Sequence, residues 1–539
     1  MVDYSSPTTS PQTRNEEATG AGKLDEEACF RLRQCEAQKN EWDLDIREGY
    51  FFAAPHRARE IRSRQRAAPM KPTDAGELQT GIAMEYAKDF ATVILNAFMP
   101  EASPWAERKP GMFLAESQKA EAKAQVEKQD PIIFQAIRAS NLYPELPKAF
   151  NPDLALGVCA IWIDDPRPAE NFITQAVPLH ELEINLGPFG EIDDRFVVRH
   201  TKNRHVMAVL GPTLFAKIDA ACRDKIEKQP NDDTIIRWGF WRLWDRRDDI
   251  VWQHVVMIDE KVIHSIEIAG EGCCPLIVMR FNPSPEWAYA AGPLIEGLPD
   301  LRELDTLAAR KIEHVDLALA PPSTFPDDSM GVIEGGVESG KIYPVRPGSE
   351  GAVKSMFTIG SMEPAIYETS EKEKQLRHRF FLDWPEQRGD TPPTATQWLD
   401  EMQIAQRRIG TPGLSFWREG PAEIFLRFKY MLEKRGIIEP IRVNGKTISL
   451  QPFNPAQSAA EQQEVAMFAR FAQIGAPMFP EEWKIATDGA KTLQKLAEKM
   501  RVTALWVQRS EEDKKTALAA IAQLQAGQAA APAAMPGAA

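Results

Sequence analysis

The chain has 539 residues, 43% hydrophobic and 26% charged, with a formal net charge of −14 at pH 7. That length and balance exclude a small disulfide-stapled scaffold and predict a globular protein with a sizeable core and several domains. The acidic balance excludes a generic nucleic-acid coat, which needs clustered Lys and Arg, but not a protein that DNA must pass without sticking.

Residues 1–28 are polar and rich in Ser, Thr, Pro and Glu, a composition that predicts disorder, and they lack the basic and apolar regions of a signal peptide. No apolar run approaches the roughly 20 residues needed to span a bilayer, so the chain reads as one made and kept in the cytoplasm. From Thr80 to Phe98, Ile82, Tyr86, Phe90, Val93, Ile94 and Ala97 form one helical face that stops at Met99-Pro100. Between Asn151 and Phe281 the texture changes to short β-like runs, among them Val158 to Ile163, Phe196 to Val198 and Ile250 to Ile258, which predicts a mixed α+β body. Within it, Arg237 to Asp249 interleaves aromatics with bases. Such a segment is either a stacking surface for single strands or a β-hairpin turning at Asp245 to Asp249.

The most informative stretch is 291–435, which reads helix, glycine-rich insert, helix, Pro/Gly loop, long helix. The first helix starts at Pro299, a favoured first-turn proline, and carries Leu301, Leu304, Ala308, Ile312, Val315 and Leu319 on one stripe up to Pro321-Pro322. The second begins near Ser361 and Pro364 and is polar from Glu368 to Gln375 before Leu376, Phe380 and Phe381. A helix polar on every side faces water on more than one side. Further on, Trp398, Met402, Ala405 and Ile409 mark one amphipathic helix, and Ile424, Phe425, Phe428, Met431 and Leu432 another. Breaks are expected at Gly410 to Gly413 and at Gly420-Pro421. Residues 459–525 are again helical in pattern, and 526–539 form an Ala/Pro/Gln/Gly-rich tail expected to fray.

Chemistry is sparse. Gly335 to Lys341 has the spacing of a phosphate-binding loop, but position 342 is Ile where a magnesium-holding hydroxyl belongs, and Ile342-Tyr-Pro-Val345 reads as a strand rather than the helix that motif needs. The six cysteines form no Cys-x-x-Cys pair, and His200 and His205 are five apart, off a common helical face. No nucleophile elbow occurs, and the pairs Asp164-Asp165, Asp193-Asp194 and Asp327-Asp328 fall in apparent loops. The chain is therefore read as a non-enzyme without cofactor or metal.

Four stretches carry a resemblance. They are Ala91 to Trp105, a helix ending in Phe-Met-Pro and then a Trp; Asn151 to Trp162, a helix, a Gly and an apolar strand; Cys274 to Arg280 continuing through Tyr289 to Pro293 into Leu301 to Leu307; and Gln387-Arg-Gly-Asp-Thr391 followed by Thr394 to Trp398. Over residues 40–530 the chain resembles the head-to-tail connecting (portal) proteins of podovirus-type phages, departing from them at Ile409 to Gly413.

The resemblance implies an α+β, mainly helical fold with portal-like architecture. Residues 29–290 would be the first part of a wing, 291–320 stem helix 1, 321–360 the clip, 361–384 stem helix 2, 385–393 the tunnel loop, 394–450 the wing helices and 451–525 the helical crown or barrel. It further implies a ring, usually of about twelve copies, at one capsid vertex of the virion, a channel for double-stranded DNA in packaging and ejection. Its partners would be other copies, the major capsid protein, scaffolding protein, the terminase large subunit and tail adaptor or tail proteins, with no membrane. On this basis Gln387, Arg388, Gly389, Asp390 and Thr391 would face DNA from the tunnel loop, and Lys372, Lys374, Arg377 and Arg379 would line the channel from the stem. Another virion protein such as a tail adaptor, or a nucleotide-dependent enzyme leaning on Lys341, are the competing readings.

Overall fold

The computed structural model describes residues 11–57, 78–108, 116–165, 171–246, 250–326, 339–345, 354–355, 362–382, 408, 412–440, 442–443, 446–447, 450–452, 455–478, 489, 492–493 and 495–496. The helices are α1 Pro11–Ala53, α2 Ile82–Phe98, α3 Glu116–Ala139, α4 Leu142–Phe150, α5 Asp153–Leu156, α6 Asn203–Phe215, α7 Ala220–Lys228, α8 Pro293–Glu296, α9 Leu298–Leu319, α10 Glu363–Arg379, α11 Pro421–Lys434 and α12 Pro455–Met478. Between and after them run β1 Ala106–Arg108, β2 Val158–Asp164, β3 Ile173–Val177, β4 Leu182–Leu186, β5 Ile192–Lys202, β6 Asp233–Arg242, β7 Val251–Ile258, β8 Lys261–Ala269, β9 Leu276–Arg280, β10 Ser323–Pro326, β11 Ile342–Val345, β12 Lys354–Ser355, β13 Arg442–Val443, β14 Lys446–Thr447 and β15 Leu450–Pro452. The chain divides into two compact units, 1–455 and 456–539.

In the first unit, β4 to β8 form a five-stranded antiparallel meander, and β2 lies between β3 and β9 in a second antiparallel sheet. Strand alternation divides the meander's side chains between two faces. Phe196, Trp241, Val255 and Met257 point to one face and bury Ala28, Leu32 and Cys35 of α1. Ile236, Val256 and Ile258 point to the other and meet Val206 and Leu210 of α6 and Ile226 of α7. The largest core gathers α2, α4, the β2 sheet, α8, the base of α9 and α11 around Phe90, Trp105, Phe150, Phe281, Tyr289, Phe416 and Phe425.

Helix α1 begins at Pro11, and its Ala28 is fully buried. Its stabilising partners are far away in sequence. Arg31 donates to Asp194 at 2.7 Å, and the buried Lys39 donates to the carbonyls of His180 and Leu182 and to Glu183 at 2.8–3.0 Å. A polar composition read locally cannot register contacts over 140 residues distant. The predicted helix at 80–98 begins at Ile82 and ends before Met99, burying Tyr86, Phe90 and Ile94 as its periodicity requires. The helix marked by Ile424 to Leu432 is α11, and the break expected at Gly420 separates it from a helical stretch at 412–419. Trp398, Met402, Ala405 and Ile409 lie outside the described residues.

Candidate functional site

The helix pair α9 and α10 is what the sequence singled out. Helix α9 has Pro at its first turn and Asp300 where the positive end of the helix dipole favours an acid. Helix α10 has Pro364 and Glu363 at its start and Arg377, His378 and Arg379 in its last turn, the charge order its dipole favours. Its polar middle leaves Leu376 as its one buried side chain among the described residues, in keeping with a helix wetted on several sides. The helix is shorter than the predicted 361–384, ending at Arg379.

The two helices are clasped at their base. Asp300, 7% exposed, takes Lys372 at 3.2 Å and Arg379 at 3.1 Å; Lys372 also reaches Glu303 at 2.7 Å, and Arg379 donates to the Glu296 carbonyl at 2.7 Å. Because the higher-numbered cation bonds the lower-numbered groups, the helices run antiparallel. Hydrogen bonds to Glu303 and Asp300 raise the pKa of Lys372. Arg377 donates to the Tyr86 hydroxyl at 3.1 Å, tying α10 to α2. Of the four cations expected to line a channel, Lys372, Arg377 and Arg379 thus bond within the chain. Lys374 is exposed and makes no ion pair among the described residues.

Helix α10 ends in a tight turn in which Leu382 N–H returns to the Arg377 carbonyl at 2.9 Å, with Phe381 at φ 57° where glycine is usual. Packing holds that conformation: the Phe381 ring lies 5.6 Å from Phe281 and 6.4 Å from Phe90. Arg408 sits over the same ring at 5.5 Å and donates to the His378 carbonyl at 3.0 Å. Gln387, Arg388, Gly389, Asp390 and Thr391 lie outside the described residues.

At the far end of α9, the insert contributes a three-stranded sheet, β11-β10-β12, with β10 and β11 parallel. Lys341 leads into β11 rather than into a helix, so the helix dipole that a phosphate-binding loop needs is lacking there. The Ser339-Gly340 turn instead closes α9. Ser339 Oγ lies 2.7 and 3.0 Å from the carbonyls of Asp316 and Ala320, between which its single hydrogen is shared, and Gly340 N–H, at φ 74°, donates to the Ala320 carbonyl at 2.8 Å. The Asp316 carbonyl already accepts the Ala320 N–H at 3.0 Å, so the turn's own contribution is to the Ala320 carbonyl just past the helix end. This capping role was hidden in the sequence by its likeness to a nucleotide motif.

In the aromatic and basic segment beginning at Arg237, the central rings are internal. Phe240 and Trp241 are 0 and 1% exposed, Trp238 is half-buried under Arg199, and Trp244 donates to Asp193 at 2.9 Å. Strands β6 and β7 pair as the hairpin expected there, which leaves no row of open rings for bases to stack on. All six cysteines are unbridged; burial pushes the Cys35, Cys159 and Cys274 thiols up and Cys273 to about 12, away from nucleophilic thiolate. Among the described residues no cluster of three or more His, Cys, Asp or Glu could hold a metal, and no helix is long and apolar enough to cross a membrane.

The sequence pattern of one family, described as bacteriophage head to tail connecting protein, matches residues 26–504. Among solved structures, a chain of the virion of native gene transfer agent (GTA) particle aligns at 12% identity and a TM-score of 0.34, over 77% of this chain and 92% of that one. A chain of the neck of the empty GTA particle, computed with C6 symmetry, aligns at 11% identity and a TM-score of 0.35, over 78% of this chain and 90% of that one. No curated protein matches.

Proposed function

The chain belongs to the bacteriophage head-to-tail connecting protein family, and from that membership we propose that its copies form a ring at one capsid vertex through which double-stranded DNA is packaged and ejected. The family match over 26–504 is the observation that carries this reading. In it, α9 and α10 are the stem around the channel, and the β10 to β12 insert is a clip that meets the terminase large subunit and later the tail. The residues from 29 to 290 with those from 394 to 450 form the wing against the capsid and scaffolding proteins, and those from 451 to 525 form the crown. Arg388 touches phosphate from the tunnel loop.

The electrostatics favour passage over capture. DNA carries one charge per roughly 1.7 Å of duplex axis, and twelve copies at −14 each would sum to about −168. A bore so surrounded repels DNA within the reach that salt screening leaves. The bonds of Lys372 and Arg379 to Asp300 neutralise cations that would otherwise grip phosphate. Lys374 of α10, like Arg310 and Lys311 of α9, is in no ion pair among the described residues, and Arg377 donates to the Tyr86 hydroxyl.

Negative-stain microscopy of purified protein tests the reading. Rings with a central hole are expected, their copy number read by symmetry averaging; a protein that stays monomeric at every concentration overturns it.

A further inference from the structure

Along the stem the surroundings change at the height of Asp305. Below it, Leu298, Leu301 and Leu304 of α9 are 0–3% exposed, and Lys372 and Arg379 are paired. Above it the same stripe emerges into solvent, with Ile312 48%, Val315 41% and Leu319 80% exposed; on α10, Ile366 and Tyr367 are 56 and 67% exposed. An open apolar stripe continuous with a buried seam marks an association surface.

The clasp fixes which exposed residues share a height. Lys372 and Arg379 straddle Asp300, so Asp300 is level with the α10 turn between them. At about 1.5 Å per residue along antiparallel helices, Ile312 falls within about one turn of Ile366 and Tyr367. By the same measure, Asp305 falls within about one turn of Lys374. Helical periodicity fixes the sides. Asp305 and Ile312 lie on the edge of α9 opposite Asp300 and Glu303, hence away from α10, while Tyr367 and Lys374 lie on the edge of α10 away from α9. One outer edge of the stem therefore carries an acid below an apolar residue. The other carries a base below Tyr367, at heights that agree within about one turn.

We propose that this edge is covered by a second copy of the chain: Ile312 of one copy packs on Tyr367 of the next, and the first copy's Asp305 pairs with the neighbouring copy's Lys374. Rotation about an axis along the stem keeps equal heights together and repeats such a head-to-tail contact until it closes. Asp305 suits the role. Its Oδ1 accepts the Gln79 and Thr80 N–H groups at 2.8 and 3.1 Å, which orients the carboxylate, and it has no cation among the described residues. Lys374 is thereby assigned to the joint between copies rather than to DNA. The inference rests on the ring reading and adds the contact that builds it.

The test compares wild type, Ile312→Glu, Lys374→Glu and the double exchange Lys374→Glu with Asp305→Lys by light scattering and negative-stain microscopy. Thermal melts confirm folding, since Ile312 and Lys374 are exposed. Lys374→Glu is expected to raise the concentration for half-assembly about tenfold and the double exchange to restore it, because like charges facing each other across an interface oppose association. Ile312→Glu is expected to leave mainly monomer. Rings formed equally well by wild type and by both single variants overturn this contact while leaving the ring reading intact; a monomeric wild type overturns the ring reading itself. Lys374→Glu that changes DNA retention at unchanged assembly returns Lys374 to the channel and also overturns the pairing.

Discussion

Gly157 stands between α5 and β2 at φ 122°, and a Cβ there would overlap the Ala290 carbonyl oxygen while lying 2.7 Å from the Gly292 nitrogen. Two backbones approach here with no room for a side chain, and Gly292 N–H uses the approach to donate to the Leu156 carbonyl at 2.9 Å. Gly157→Ala combines a disfavoured backbone conformation with a backbone clash, so it is expected to lower the urea midpoint by an amount equivalent to about 3 kcal/mol or more. The sequence displayed the glycine between a helix and a strand; what fills the space over it comes from residues 290–292. His254 is equally illegible in the linear chain. It stacks on Phe240 at 4.4 Å, and burial holds its pKa down at about 3, as burial also does for His180. A folded pKa below the unfolded one means that the unfolded chain binds the extra proton. Stability is therefore expected to fall as pH drops from about 6.5 toward 3, by up to about 1.4 kcal/mol per pH unit for each of these histidines. Urea midpoints of His254→Gln between pH 4 and 7 should show that slope reduced; an unchanged slope removes His254 from the acid response.

Among the elements, helices α9 and α10 were legible because proline, periodicity and charge order are local signals. Their predicted starts, Pro299 and Ser361, fall within two residues of Leu298 and Glu363. How the two helices are joined was not legible. The notion of four cations facing a channel came from resemblance, whereas Asp300 takes two of them and Tyr86 a third. Asp300→Asn keeps the shape and removes the charge that Lys372 and Arg379 share. With Arg379 42% exposed, solvent screens part of the loss. An expected destabilisation of about 1–2 kcal/mol follows, read from chemical denaturation; no change in midpoint would mean that apolar packing by Leu376 and Phe380 suffices to hold the stem base. The Ser339-Gly340 turn teaches the converse lesson. There Gly340 meets a geometric demand, a positive φ between the end of α9 and the start of β11, that glycine meets without strain.

For the whole molecule, the tunnel-loop proposal has its own test. Arg388→Ala is expected to leave ring assembly intact and to alter the amount of DNA packaged or its retention; unchanged values of both would remove Arg388 from the mechanism. By itself the sequence determined the class, a large mixed helical and β protein without an enzyme's signature motifs. It also determined the order of helix, insert and helix, and the family to which that order belongs. These follow from composition, from periods of 2 and 3.6 residues and from turn chemistry, all of which act within a few residues of chain. Only the tertiary structure decided that Ala28, Leu32 and Cys35 of α1 are buried against the meander, that Phe240 and Trp241 are core rather than a stacking platform, and which stem cations are already bonded. Those outcomes depend on partners 70 to 240 residues away, such as Asp300 for Lys372 and Met257 for Leu32, and burial or pairing is a property of the partner as much as of the residue. The stripe from Leu301 to Leu319 joins both kinds of knowledge. Its period was written in the sequence, and the point along it where the protein's own core ends was set by the fold.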